Sequence, residues 1–385
     1  MKPLHNLLLP VGAALLGIGI GLLMLAVTGY PALYTLRAMI EGTFADAYGF
    51  SQVIRSTALL TFTGLSVAIA FKAGLFNIGA EGQLYMGALA AGLFGAYLKD
   101  LPKETLDGRP EWIWLLMATT VSLGAAAMWG LIPGVLKAWR GAHEVITTIM
   151  MNFIALALVS YLLRPGSPLA APGRMQTPTA PRSVRFDRLG DYHDHFAGST
   201  LNTSALLAFI CAVLLWAWLK FTRAGFALRA VGLNPEAARA AGTSSRGVIV
   251  LAMMLSGALA GFAGLEFVFG HKGWFEEGFS GGLGFLGIAV ALLARNHPLG
   301  ILLTAFLFGI LNYSKVSIPS LFSTYKEQGL LLETAITPPK DVLEIMQGII
   351  ILAVILGDRL LHHLTMKRKR AQPLAGNNAR KPSGI

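Results

Sequence analysis

Apolar residues in this chain fall in long blocks. They follow neither the three-and-four spacing of an amphipathic soluble helix nor the alternation of a half-buried strand. The blocks run Leu7–Val27, Val53–Phe71, Gln83–Leu98, Trp112–Leu131, Val145–Leu163, Leu201–Leu219, Val248–Val268, Gly281–Ala294, Leu299–Tyr313 and Val342–Leu356. A helix crosses a bilayer core in roughly 20 residues, and most of the blocks reach or approach that length. The pattern predicts an all-α polytopic membrane protein with about ten transmembrane helices over residues 1–357. Several blocks are short and interrupted by glycine, as expected of helices broken near the bilayer midplane, where free backbone groups can line a pathway. The first block is longer than the apolar core of a cleaved signal peptide and predicts an uncleaved first helix.

The polar segments set the orientation. Residues 220–246 carry Lys220, Arg223, Arg229, Arg239 and Arg246 against one acid, Glu236. The C-terminal segment adds Arg359, Lys367, Arg368, Lys369, Arg370, Arg380 and Lys381. Four blocks separate the two segments, so they share a side, and the positive-inside rule makes that side the cytoplasm. Both termini are then expected inside. Residues 164–200 are expected outside although they hold Arg164, Arg174, Arg182, Arg185 and Arg188, partly offset by Asp187, Asp191 and Asp194. Five prolines there predict an extended segment rather than a helix. Residues 358–385 are basic, polar and too poor in apolar area to fold, which predicts an unstructured cytoplasmic tail.

Composition agrees with the pattern. Of 385 residues, 54% are hydrophobic and only 13% charged, about half the usual charged share of a soluble domain. The net charge of +11 is spread between apolar blocks and the tail instead of forming the stripe of a nucleic-acid binder, so no nucleic-acid partner is expected. The one cysteine, Cys211, lies in an apolar block and excludes an internal disulfide or a cysteine metal framework.

Two polar segments carry the candidate chemistry. In Gly232-Leu233-Asn234-Pro235-Glu236-Ala237-Ala238-Arg239-Ala240-Ala241-Gly242, Asn234 can cap a helix that begins at Pro235. Glu236 suits the first turn of that helix, and Gly242 can end it in a left-handed conformation. This predicts a short surface helix, about 235–242, on the basic side. The second segment, Phe71-Lys72-Ala73-Gly74-Leu75-Phe76-Asn77-Ile78-Gly79-Ala80-Glu81-Gly82-Gln83, interrupts an otherwise very long apolar stretch. A polar break of this kind is either a tight loop between spans or a stretch of backbone buried in protein or facing a water-filled path.

Glu236-Ala237-Ala238 followed at a spacing of three by Gly242 resembles the EAA loop of ABC importer permeases. Asn77-Ile78-Gly79-Ala80-Glu81-Gly82-Gln83, with Gly141-Ala142-His143-Glu144-Val145-Ile146-Thr147-Thr148-Ile149-Met150-Met151-Asn152, is similar to the permeases of bacterial nucleoside ABC importers. These belong to the group that also serves simple sugars and branched-chain amino acids. The resemblance covers about 50–320. It implies a multi-pass permease in the bacterial inner membrane that works with an ABC ATPase subunit, a second permease chain (same or different) and an extracytoplasmic solute-binding lipoprotein. It also implies that Asn234, Pro235, Glu236, Ala237, Ala238 and Gly242 couple to the ATPase.

Asn77, Glu81, Gln83 and Asn152 are the candidates for the substrate pathway, since their amides and carboxylate can meet hydroxyls or base edges. Glu144 and Glu266 read as packing residues, and Gly257, Gly261 and Gly264 suit close helix approach.

No catalytic set stands out, so an enzyme is not expected. No lysine follows a glycine anywhere, which excludes a Walker A loop; ATP and Mg²⁺ would sit on the partner ATPase, and no cofactor is expected here. Gly282-Leu283-Gly284-Phe285-Leu286-Gly287 matches a dinucleotide pattern but lacks the strand that must precede it. His193-Asp194-His195 has no further organised ligands for a metal. An ion-coupled secondary transporter would accommodate broken helices equally well but has no need of a coupling helix.

Overall fold

The computed structural model of the chain describes residues 2–192, 194–196 and 198–353. The expected tail 358–385, the end of the last expected span and His193 lie outside them. The helices are α1 (Lys2–Val27), α2 (Ala32–Phe44), α3 (Ala47–Lys72), α4 (Ala80–Lys99), α5 (Lys103–Asp107), α6 (Glu111–Arg140) and α7 (Glu144–Leu162). They continue with α8 (Ser204–Phe221), α9 (Arg223–Leu233), α10 (Pro235–Ala240), α11 (Ser245–Leu265), α12 (Leu283–Leu293) and α13 (Pro298–Glu327). A further helix occupies residues 340–353. Among the described residues no strand forms; only isolated bridges join Gln176 to Glu276 and Arg188 to Asn202.

Six helices are long and apolar enough to cross a membrane among the described residues: α3, α6, α7, α8, α11 with its extension to Lys272, and α13. The protein is thus a multi-pass α-helical membrane protein. By contrast α12, at 11 residues, is about 16 Å long, half of a bilayer core. The element ends also differ from expectation. The span expected to stop at Tyr313 continues to Glu327, because the polar residues beyond it alternate with buried Ile318, Phe322 and Tyr325 on one helical face. Neither α2 nor α9 was expected, since both are short and carry charge within apolar sequence.

Among the described residues the chain forms two compact units, residues 34–337 and a smaller one of residues up to 33 with those from 338 to 353. In the smaller unit, Gly17 and Gly21 of α1 meet Ile350 and Met346; a Cβ on Gly17 would stand 2.6 Å from the Ile350 Cα. Small residues one turn apart allow this close helix approach in lipid, where no hydrophobic effect draws helices together.

In the larger unit α3 is central, with 83% of its apolar window buried against 22% for α6, α7 and α8. The outer helices present apolar side chains at helical spacing. Ile146, Met150, Phe153, Ile154 and Tyr161 of α7 and Leu206, Phe209, Ile210 and Leu214 of α8 are exposed. Rows this long need lipid or protein against them. The interior is tightly packed through small residues, as expected for Gly257, Gly261 and Gly264. A Cβ on Gly257 would lie 2.3 Å from the Ala126 carbonyl oxygen, and one on Gly264 2.6 Å from the Ala88 nitrogen. The Ser122 hydroxyl of α6 donates to the carbonyls of Gly87 (3.0 Å) and Gly261 (3.2 Å), tying α6 to α4 and α11.

Glu266, expected to be structural, is fully buried and pairs with Arg55 of α3, Nε to Oε1 at 2.9 Å and Nη2 to Oε2 at 3.3 Å. Asn202 Nδ2 donates to the same carboxylate at 3.3 Å. Glu266 opens a π-helical turn, Glu266–Lys272, that continues α11, and such turns often mark functional sites. The proline-rich segment 164–203 folds over it without α-helix, with three 3₁₀ turns among its described residues. Its amides at Phe186, Ala180 and Thr177 donate to the carbonyls of Phe269, Gly273 and Phe275 at 2.9, 2.7 and 2.9 Å. Arg188 donates to the His271 carbonyl.

Breaking one side of a buried ion pair costs about 3–5 kcal/mol, while replacing both partners by apolar groups costs much less. Glu266→Ala is therefore expected to lower the thermal unfolding temperature of the detergent-extracted protein sharply. Arg55→Met combined with Glu266→Leu is expected to recover most of the loss; equal losses in both variants would show that the pair is not what matters there.

Candidate functional site

The expected break is a segment of non-helical backbone, largely enclosed by helices. It leaves α3 through Gly74, whose φ of +75° turns the chain. Residues 75–78 have no regular structure before α4 starts at Ala80. Non-helical backbone away from water must find partners for its polar groups, and here side chains supply them. Asn152 of α7 acts on both faces of one turn: its Nδ2 donates to the Ile78 carbonyl at 2.9 Å, and its Oδ1 accepts from Gly82 N at 2.8 Å. Thr148, one turn earlier, accepts from Ile78 N at 3.3 Å. Asn77 Oδ1 accepts from Gly79 N at 2.9 Å.

The other half of the Asn77 amide faces inward. Its Nδ2 donates to Gln83 Oε1 at 2.9 Å and to Ser256 Oγ of α11 at 2.7 Å. Ser256 in turn donates to the Ser66 carbonyl of α3 at 2.6 Å. One amide therefore joins α3, the break, α4 and α11.

Glu81 stands in the first turn of α4, where the unpaired N–H groups and the helix dipole favour negative charge. Its Oε2 also accepts from Gly284 N, in the first turn of α12, at 2.7 Å. Ser280 donates to its Oε1. A side chain in the first turn of α4 thus bonds the N-terminus of α12, and a Cβ on Gly284 would come within 2.5 Å of the Glu81 Cα. Gly284, from the rejected dinucleotide pattern, serves this contact. Beside it Tyr85, Phe267, Phe275 and Phe279 form an aromatic cluster; the Phe267 and Phe279 ring centroids are 4.2 Å apart.

All four sequence-predicted pathway residues are brought together around one break, and all are buried: Asn77 and Gln83 to 1% exposure, Glu81 and Asn152 to 4%. Within this chain each of their polar groups described above bonds to the protein. Sequence reasoning missed their partners Ser66, Thr148, Ser256 and Ser280, and also Arg55. Hydroxyls inside apolar blocks are inexpensive in either environment and carry little signal. Arg55 did carry one: a lone cation inside an apolar block calls for an acid in another, and Glu266 is that acid. Glu144 begins α7 and pairs with Lys137 near the end of α6 at 2.8 Å, a contact between the two helices.

The surface helix forms as its residues dictate. Asn234 Oδ1 accepts from the Glu236 and Ala237 amides, both at 3.0 Å, and Pro235 occupies the first helical position. The helix ends at Ala240 rather than 242. Gly242 takes φ +83°, its amide donating to Arg239 O and that of Thr243 to Ala238 O, both at 2.9 Å. Ala238 packs inward, while Glu236, Ala237, Arg239 and Ala240 are exposed. The preceding Leu233 is 88% exposed, which leaves a large apolar side chain mostly uncovered beside the helix among the described residues.

Two substitutions check this geometry. Asn152→Ala strands the Ile78 carbonyl and the Gly82 amide, at about 1–3 kcal/mol each, and is expected to lower the thermal unfolding temperature of the detergent-extracted protein; an unchanged temperature would show that the two bonds do not hold the break. Asn234→Ala removes a cap of about 1 kcal/mol; amide exchange over 235–240 is expected to quicken, with Asn234→Ser restoring protection.

Comparison with known proteins gives the family context. Residues 49–355 match the family described as branched-chain amino acid transport system / permease component. The guanosine ABC transporter permease protein NupP of Bacillus subtilis is 36% identical, over 92% of this chain and 94% of the relative. The nucleoside ABC transporter permease protein NupB of Lactococcus lactis is 32% identical, over 80% and 83%. The glucose ABC transporter permease protein TsgB13 of Haloferax volcanii is 31% identical, over 91% and 87%. No solved structure matches.

Proposed function

Because the chain belongs to the branched-chain amino acid transport system permease family, and is a permease subunit of an ABC importer, we propose that it provides part of a nucleoside uptake path across the bacterial inner membrane. The substrate reading rests above all on the near full-length similarity to a guanosine permease at 36% identity. With about ten spans and both termini in the cytoplasm, helices α9 and α10 face the cytoplasm and segment 164–203 faces outside.

In this reading α10 is the coupling helix. Asn234 and Pro235 set its start, Gly242 its end, and Glu236, Ala237 and Ala238 the small-residue body that seats in a cleft of the ABC ATPase. The exposure of Glu236, Ala237, Arg239 and Ala240 supports this, since it leaves the body of the helix open to a neighbouring chain. ATP and Mg²⁺ act on the ATPase; this chain contributes no cofactor site. A solute-binding lipoprotein delivers nucleoside to the outer face, and a second permease chain completes the path.

Asn77, Glu81, Gln83 and Asn152 serve the path by framing it. Their side chains hold the N-termini of α4 and α12, and movement of those helix ends would expose amide and carboxylate groups suited to ribose hydroxyls and base edges. Weak sites of this kind favour passage, because tight binding would trap the solute. A simple-sugar permease is the second reading, favoured by the 31% identity to a glucose permease.

Uptake of labelled guanosine, ribose, glucose and leucine by a deletion strain carrying the gene separates these readings. Guanosine uptake is expected to depend on the chain and the others not; dependence of a sugar alone would overturn the choice. Glu236→Ala and Gly242→Val are expected to abolish uptake while the protein still inserts in the membrane. Full uptake by both would remove the coupling role.

A further inference from the structure

The coupling-helix region touches the break directly, at a pair of glycines. Gly232, two residues before the Asn234 cap, lies against the backbone of residues 72–74. A Cβ on Gly232 would be 2.2 Å from the Lys72 carbonyl oxygen and 3.0 Å from Gly74 N. A Cβ on Gly74 would lie 3.1 Å from both Cα and O of Gly232, and its φ is +75°. Both positions exclude a side chain, so the two backbones are in van der Waals contact with nothing compressible between them.

The contact leads in both directions. Toward the surface, Asn234 closes α9, its amide donating to Ala230 O at 3.0 Å, and at the same time caps α10. These two short helices therefore share one hinge residue, and a push on α10 bears on Gly232. Toward the interior, the turn at Gly74 stands three residues from Asn77, the amide that joins the break to α4 and α11. A second route ends at the same place: Ser245, which begins α11, donates to the Pro235 carbonyl at 2.9 Å, and α11 carries Ser256, the partner of Asn77. From Asn77 and Gln83 the network reaches the first turn of α4, and Glu81 there holds α12.

We propose that Gly232 and Gly74 are positioning residues of the transport cycle. Their backbone contact passes displacement of the Pro235–Ala240 helix to segment 75–79 and so to the paired N-termini of α4 and α12. This rests on the reading of α10 as the coupling helix. The break is suited to receive the displacement because it is held by side-chain bonds from three helices instead of a continuous helical ladder, and such bonds can exchange partners without melting a helix.

Hydrogen exchange on the complete transporter in lipid nanodiscs tests the link with the native sequence. Nucleotide-free and ATP–vanadate-trapped states are compared. Exchange is expected to change at 234–242 and also at 77–82, whose amides at Gly79 and Gly82 are held by Asn77 and Asn152. A change confined to 234–242 would sink this proposal and leave the coupling role standing. No change at 234–242 would overturn the coupling role and the link with it. Gly232→Ala gives an independent reading: solute imported per ATP hydrolysed is expected to fall about tenfold, within the ordinary range of coupling between sites. An unchanged ratio in the assembled complex would also overturn the proposal.

Discussion

Every backbone amide and carbonyl in a bilayer must be bonded inside the protein, since lipid offers no partner. Long helices meet this condition on their own. A stretch that leaves the helix does not, and the larger unit of this chain is organised around repairing one such stretch. Between α3 and α4 the chain leaves the helix, and donors and acceptors it frees are taken up by Asn77, Thr148 and Asn152. Asparagine fits the task because one side chain presents a donor and an acceptor with the spacing of a peptide group. The position of α7, and through Ser256 and Ser66 that of α11 and α3, follows from where those side chains must stand.

Charge obeys the same condition more strictly. Glu81 is tolerated because Gly284 at the N-terminus of α12 and the Ser280 hydroxyl both donate to it, and because it stands in the first turn of its own helix, where the dipole favours an acid. Glu266 is tolerated because Arg55 and Asn202 meet it from two other elements. In each case a group too costly to bury alone becomes the joint between helices distant in sequence. The two joints lie on different breaks, one opening α4 and one in the π-helical extension of α11, and the proline-rich segment 164–203 bonds its amides to the second. A permease needs parts that hold their place yet can rearrange. Joints built from a few side-chain bonds have both properties, whereas the glycine-packed contact of α6 with α11 has only the first.

The surface helix follows soluble-protein rules, with a polar cap, proline at its first position and a left-handed glycine beyond its end. Its local geometry is independent of the bilayer, while its connection to the interior runs through backbone packed on backbone at Gly232 and Gly74.

Much of this was legible in the residues. Six of the ten apolar blocks coincide with helices long and apolar enough to cross a membrane among the described residues, because crossing a bilayer imposes a length that few soluble segments reach. Asn234, Pro235, Glu236 and Gly242 predicted α10 to within two residues, because capping is a local interaction. Asn77 to Gln83 marked the break, because polar residues and glycines cannot form a lipid-facing helix. The partners of those residues were decided only by tertiary structure. Nothing in the sequence near Asn77 points to Ser256, or near Glu81 to Ser280 and Gly284, since hydroxyls and backbone amides stand at many places along any apolar helix. Which of them becomes a partner depends on how the helices pack, and that packing is set by the sum of many small-residue contacts far apart in the chain.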